Sequence, residues 1–171
     1  MSLSIRAQAI NGLAETIRSI TPANGYVFDL SSSVYVGEVK FGDEAKPPFI
    51  AILEPPIVLH KQKYVYNCQQ QEYSIDLIVQ GFVEKNVTNQ FDGTAMGYAL
   101  LAEVRKAIAT EVRDKGLNLT QRNIFGAGRN LVEVKMDHGI VRPADEMSTL
   151  SYFWMTMTLD IFEDAINPYM P

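Results

Sequence analysis

Residues 71–84, QEYSIDLIVQGFVE, decide how the chain is read. Tyr73, Ile75, Leu77 and Val79 share one parity, and Glu72, Ser74, Asp76 and Gln80 share the other. Side chains on a strand point alternately to its two faces, so the stretch predicts a strand with one buried face and one wet face. Ile78 and Phe82 interrupt the polar parity and put part of the second face under cover. Gly81 predicts a bulge or bend near the end of the strand. Glu72 and Asp76 lie on one strand face, roughly 13 Å apart from the rise per residue. That is too far for a carboxylate dyad, and a solvated face explains them. Beyond Val87-Thr88-Asn89 the pattern becomes helical, so a strand, a polar turn and a long helix form the centre of the fold.

Around that centre the other elements follow from spacing and punctuation. Ser4 is a candidate N-cap for a helix over 5–20, with Ile10, Leu13, Ile17 and Ile20 on one stripe. Gly12 weakens that helix by about 1 kcal/mol relative to alanine and implies close packing. Thr21-Pro22 stops the helix and Asn24-Gly25 turns the chain. Residues 26–30 predict a short strand, Val34-Tyr35-Val36 begins a segment ending near Asp43, and Phe49 to Leu53 predicts an apolar strand. Pro55-Pro56 ends it, and 57–69 reads as an irregular arm.

Asp92 or Asn89 caps a second helix over 93–114. Its stripe is Leu101, Val104, Ile108 and Val112, and its wet face includes Glu103, Arg105, Lys106, Glu111 and Arg113. Glu111 and Lys115 have the favourable helical spacing, and Gly116 is a candidate C-cap. The remainder is β-rich. Residues 130–141 alternate weakly, with Asp137-His138-Gly139 as a turn, and 151–161 form a clean strand that pairs with the central one. Phe153, Met155, Met157, Leu159 and Ile161 share one of its faces, Tyr152, Trp154, Thr156, Thr158 and Asp160 the other. Residues 165–171 read as a tail that needs a partner surface to become ordered.

The chain's 171 residues suit one domain with a real core, and 47% hydrophobic with 20% charged residues is an ordinary globular balance. A net charge of −5 argues against a broad basic surface for duplex nucleic acid. The apolar runs fall far short of the roughly 18–20 residues of a membrane span. The first residues lack the pattern of a signal peptide, so a soluble cytosolic protein is expected. Cys68 is the single cysteine, which rules out an intrachain disulfide and reads as a passive thiol.

The chemistry-bearing residues are sparse. Gly126-Ala127-Gly128-Arg129 lacks the later glycine, lysine and hydroxyl residue of a phosphate loop, and strand rather than helix follows it. A flexible hairpin or interface loop is the better reading. His60 and His138, the only histidines, have no second ligand residue at metal spacing. No catalytic, cofactor-binding or metal-binding residues are assigned, and no cofactor is expected.

The order of elements resembles a known family. It comprises an amphipathic helix, a short strand, Tyr35-Val36-Gly37, the strand from Pro48 to Glu54, and the long strand from Tyr73 to Gly81. The helix carrying Leu100-Leu101-Ala102-Glu103-Val104-Arg105-Lys106-Ala107-Ile108 and a C-terminal strand pair complete it. In this order the chain resembles the tail terminator, or tail completion, proteins of long-tailed bacteriophages and prophages. The resemblance implies an α+β subunit whose helices cover one face of a mostly antiparallel sheet. It further implies a homo-hexameric ring that caps the head-proximal end of the tail tube, ends tube polymerisation and presents a surface to the head–tail connector.

The implied partners are other copies of the chain, the tail tube protein and the connector protein, with DNA passing through the ring without specific binding and no membrane involved. The implied location is the virion tail, and the host cytoplasm during assembly. Net acidity fits DNA passage, because phosphates are repelled, although solvated surface acidity explains the charge equally. Tyr64, Tyr66, Phe125, Arg129, Tyr169 and Met170 are candidates for subunit or tube contacts, since aromatic residues and methionine favour interface centres. The same segments could instead fold over their own subunit. Two alternatives stand beside the terminator reading: another virion component, such as a connector or tube subunit, and a small enzyme or ligand-binding domain.

Overall fold

Two strands of fourteen residues, β3 (Gln70–Val83) and β6 (Ser151–Asp164), form the spine of the molecule. They run antiparallel in unbroken register, from Gln70 opposite Asp164 to Val83 opposite Ser151. A computed structural model of the chain describes residues 3–41, 45–55, 70–85, 92–117, 120–144 and 149–169. Around the spine the sheet runs in the order β1, β2, β3, β6, β4, with β5 also paired to β6. Here β1 is Val34–Val36, β2 Phe49–Leu53, β4 Leu131–Met136 and β5 Ile140–Arg142. Only the β1–β2 pair is parallel. With helices α1 (Ile5–Arg18) and α2 (Ala95–Gly116) this is an α+β fold.

The expected parity holds along both long strands. Ile75, Leu77 and Val79 of β3 and Phe153, Met155, Met157, Leu159 and Ile161 of β6 are buried on one face. Ile5, Ala9, Ile10, Leu13, Ala14 and Ile17 of α1 enter the same core as Leu100, Leu101, Val104, Ala107 and Ile108 of α2. A half-apolar strand and a half-apolar helix cannot each bury its stripe alone, so the two layers close on one another. Ser4 caps α1 as expected, its hydroxyl accepting from the Ala7 N–H at 3.3 Å.

Several local expectations are corrected. Residues 26–30 are not a strand. The N–H groups of Val27 and Phe28 donate to the Glu103 carboxylate at 2.6 and 3.2 Å, and Leu30 N–H donates to the Ile20 carbonyl. Glu103, read as a wet residue, is half-buried and holds this segment against α2. Gly81 makes no bulge, because its register opposite Phe153 is continuous. Its missing side chain leaves room for the Phe153 ring, which a β-carbon would strike. The second helix starts at Ala95. Asp92 turns the chain before it by accepting from Thr94 N–H and Oγ1, while Asn89 lies outside the described residues. Gly116 is the last helical residue rather than a cap. The arm at 57–69 also lies outside the described residues.

Candidate functional site

Both described helices lie on one side, so among the described residues the other face of the sheet carries side chains with no helix over them. This face divides into two halves by chemistry. Toward the ends of β4 and β6 it is polar. Asp76 is 6% exposed and accepts from Thr158 Oγ1 at 2.8 Å, so it belongs to a buried network rather than the solvated face its sequence implied. Ser74 Oγ donates to Asp160 at 2.6 Å, and Lys135 bridges Asp160 at 2.7 Å and Glu133 at 3.0 Å. The two acids flanking Lys135 raise its pKa through hydrogen bonding, Asp160 most strongly.

The opposite half is a row of rings that crosses the sheet. Tyr35 and Phe41 lie 5.5 Å apart, Phe41 and Phe49 4.9 Å, Phe49 and Phe82 4.8 Å, Phe82 and Tyr152 6.0 Å, and Tyr152 and Trp154 5.9 Å, centroid to centroid. From Phe49 to Trp154 successive planes are within 25° of parallel, so the rings stack on one another. Stacked or tilted pairs at these distances contribute about 0.5–1.5 kcal/mol each beyond burial. Phe82, Tyr152 and Trp154 on the polar parity were the available signal. What could not be read was that Tyr35, Phe41 and Phe49 join them, since that depends on the register between β2, β3 and β6.

Among the described residues the side chains of Lys40, Lys46, Lys85, Arg105 and Arg142 have no hydrogen-bond or ion-pair partner. Arg142 stands opposite Tyr152 and Lys40 precedes Phe41 in sequence, whereas Lys85 lies with Phe28, Val83 and Met96 on the helix side of the sheet. Among the described residues Glu38 and Glu84 are the acids in the same segments; Asp43, Glu44, Asp145 and Glu146, close by in the sequence, lie outside the described residues. The other cations among the described residues are occupied. Arg6 pairs with Glu54, Arg18 with Glu15, Arg113 with Asp114 and Lys115 with Glu111, while the Lys106 ammonium sits 4.7 Å over the Tyr26 ring. The Glu111–Lys115 pair is the one expected from spacing.

The candidate contact residues fall differently. Phe125 is corrected outright: it is 1% exposed and packs under α1, so its side chain is not available to a neighbour. The loop around it forms two tight turns, Ile124–Gly126 and Gly128–Asn130, that plug the core instead of presenting a hairpin. Arg129 is exposed and donates to the Thr120 carbonyl at 3.1 Å. The tail is held by its own chain, since Ile5 N–H donates to the Pro168 carbonyl at 3.0 Å, yet Tyr169 remains 57% exposed. Tyr64, Tyr66 and Met170 lie outside the described residues, as do His60 and Cys68. His138 occupies the expected turn between β4 and β5, where Gly139 N–H donates to Asp137.

A groove of about 480 Å³ runs between α1, α2 and the Phe125 loop. Its carboxylates already have partners: Glu15 and Asp114 hold arginines, and Glu111 holds Lys115 and the Phe125 N–H. Among the described residues no three His, Cys, Asp or Glu side chains gather where a metal would sit, and no helix is long and apolar enough to cross a membrane. The class these features define is an α+β protein with both helices on one face of the sheet and a row of aromatic rings on the other. A scan against protein-family models and a search of curated proteins find no match for the chain.

Proposed function

We propose that the protein is a structural component of a long-tailed phage virion. It caps the head-proximal end of the tail tube as a homo-hexameric ring, stops tube polymerisation and provides the surface for head–tail joining. The observation that carries this reading is the order of elements around one sheet. An amphipathic helix, the strands at 34–36 and 49–53, a long strand, a long helix and C-terminal strands follow the order of the resemblance, without the short strand it includes directly after the first helix. One-sided helical cover and a built, exposed-bordered sheet face suit a subunit whose work is contact with other proteins. Its partners in this reading are further copies of itself, the tail tube protein and the connector, and it works in the virion tail after assembly in the host cytoplasm.

A tube-growth assay tests the reading. Added to a polymerising tail tube protein, the protein should shorten the tubes at amounts far below one copy per tube subunit. Tubes of unchanged length, with the protein bound to connector rings or incorporated along the tube wall, would move it to the other virion classes.

A further inference from the structure

The chain carries two Asn-Gly pairs, Asn11-Gly12 in the middle of α1 and Asn24-Gly25 just beyond its end. Glycine leaves the backbone nitrogen after an asparagine without steric cover, so in an Asn-Gly pair that nitrogen readily reaches the side-chain amide. The fold holds the two pairs differently. Asn11 and Gly12 lie between Ile10 and Leu13, which are buried in the core, and Gly12 is pressed against the Phe125 carbonyl. Pro22–Asn24 is instead a single tight turn with no buried residue, and a β-carbon at Gly25 would meet nothing within 4 Å.

We infer that Asn24 is a site of spontaneous deamidation, reached when the turn at 21–25 opens, and that its product loosens the end of α1. The Gly25 nitrogen bonds to Asn24 Cγ and gives up its proton, the Cγ–Nδ2 bond breaks, and Nδ2 leaves as ammonia. Water then opens the cyclic imide at either carbonyl and gives aspartate or isoaspartate, with no oxidant or reductant involved. While the turn is closed the first step is blocked. Gly25 N–H donates to the Pro22 carbonyl at 3.1 Å and Asn24 Nδ2 donates to the Ser19 carbonyl at 2.7 Å, so nucleophile and leaving group are both held. Opening the turn uncovers no buried side chain, because Glu103 keeps Val27 and Phe28 in place beyond it. At Asn11 the same step requires α1 to leave the core, and a local opening costs much less than that.

The product acts on α1 through charge. Ser19 is the C-cap of α1, and the carbonyls at a helix end have no partner within the helix. The Asn24 amide supplies the Ser19 carbonyl with a donor. A carboxylate in its place has no proton to donate, and it adds negative charge at the negative end of the helix dipole. Arg18, the cation in the last turn, is already taken by Glu15 and the Val34 carbonyl. Deamidation therefore favours the open turn once it has occurred. The site is independent of the tube-capping reading.

The test is peptide mapping by mass spectrometry of the full chain, held folded in buffer at physiological temperature and, in parallel, in urea. In the folded chain Asn24 should convert to aspartate and isoaspartate at least about tenfold faster than Asn11. In urea the two rates should converge, and Asn24 should react faster than it does in the folded chain. Asn24 unchanged in the folded chain, Asn11 converting as fast as Asn24 there, or Asn24 converting as fast folded as in urea would each overturn the assignment. The effect on α1 is read from two variants. N24A removes the donor alone, whereas N24D also adds the charge, so N24D should unfold at lower urea than N24A, with the gap narrowing at high salt. N24D as resistant as N24A would reject the charge effect. The kinetics are measured on wild type and need neither variant to fold.

Discussion

Gly12 in α1 lies so close to the Phe125 carbonyl that a β-carbon there would collide with it and stand 2.7 Å from the Phe125 Cα. Phe125 itself holds a left-handed backbone, φ 51°, with its N–H donated to Glu111 at 3.3 Å. The helix and the loop are thereby locked at a distance only glycine permits. Gly12→Ala should destabilise the protein by roughly 1–3 kcal/mol from overpacking. It does so against a helix-propensity gain of about 1 kcal/mol, so the sign itself is diagnostic. Urea unfolding checks it, and a stabilised variant would contradict the contact.

A second close approach lies on the spine, where Gly81 accommodates the Phe153 ring. Gly81→Ala should cost about 1–3 kcal/mol, because the ring must leave its place in a packed core. Adding Phe153→Leu to Gly81→Ala should cost less than the sum of the two single changes, since the smaller side chain relieves the clash. Additive free energies in that double-mutant cycle would count against the contact.

The buried Asp76 depends on a donor from the neighbouring strand. Thr158→Val keeps the shape of the side chain and removes the hydroxyl that donates to Asp76. A loss of about 1–3 kcal/mol is expected from leaving a buried acceptor short of a donor. Exchange of the β3 and β6 amides flanking the pair should quicken in parallel, and an unchanged unfolding midpoint would show that Asp76 does not rely on Thr158.

Tyr73 supplies a pH prediction. Its phenol donates to Glu163 at 2.5 Å, and burial first, then that carboxylate, raise its pKa well above the ordinary 10.0. The folded chain therefore keeps a proton that the unfolded chain gives up. The stabilisation is complete below pH 10 and is lost as pH climbs above it toward the folded-state value. Tyr73→Phe should cost on the order of 1 kcal/mol at neutral pH through the lost hydrogen bond. It should also flatten the alkaline fall in stability, which unfolding midpoints on either side of pH 10 measure.

The parts of this fold that were legible in the sequence are those set by local periodicity. Alternation marked β3 and β6, a three-and-four stripe marked both helices, and Ser4 marked the first cap. The misreadings have tertiary causes. Phe28 and Leu30 alternate like a strand, but the carboxylate of Glu103, far along the chain, takes the N–H groups that a ladder would use. Asp76 sits on the polar parity, yet the cross-strand partner that lets it be buried is Thr158. Phe125 was a contact candidate as an aromatic residue in a glycine-containing loop, but that loop packs against α1, where Gly12 lets the Phe125 backbone come close. The aromatic row was half visible, in Phe82, Tyr152 and Trp154, and became continuous only through sheet register.

The central claim is that the protein closes the end of a tail tube. Electron micrographs of the protein mixed with tubes lacking their terminal ring test it most directly. The account predicts a sixfold ring of density at one end of each tube, and no further growth when tube protein is added. Bare ends on tubes that keep growing, with the protein free in the background, would contradict it.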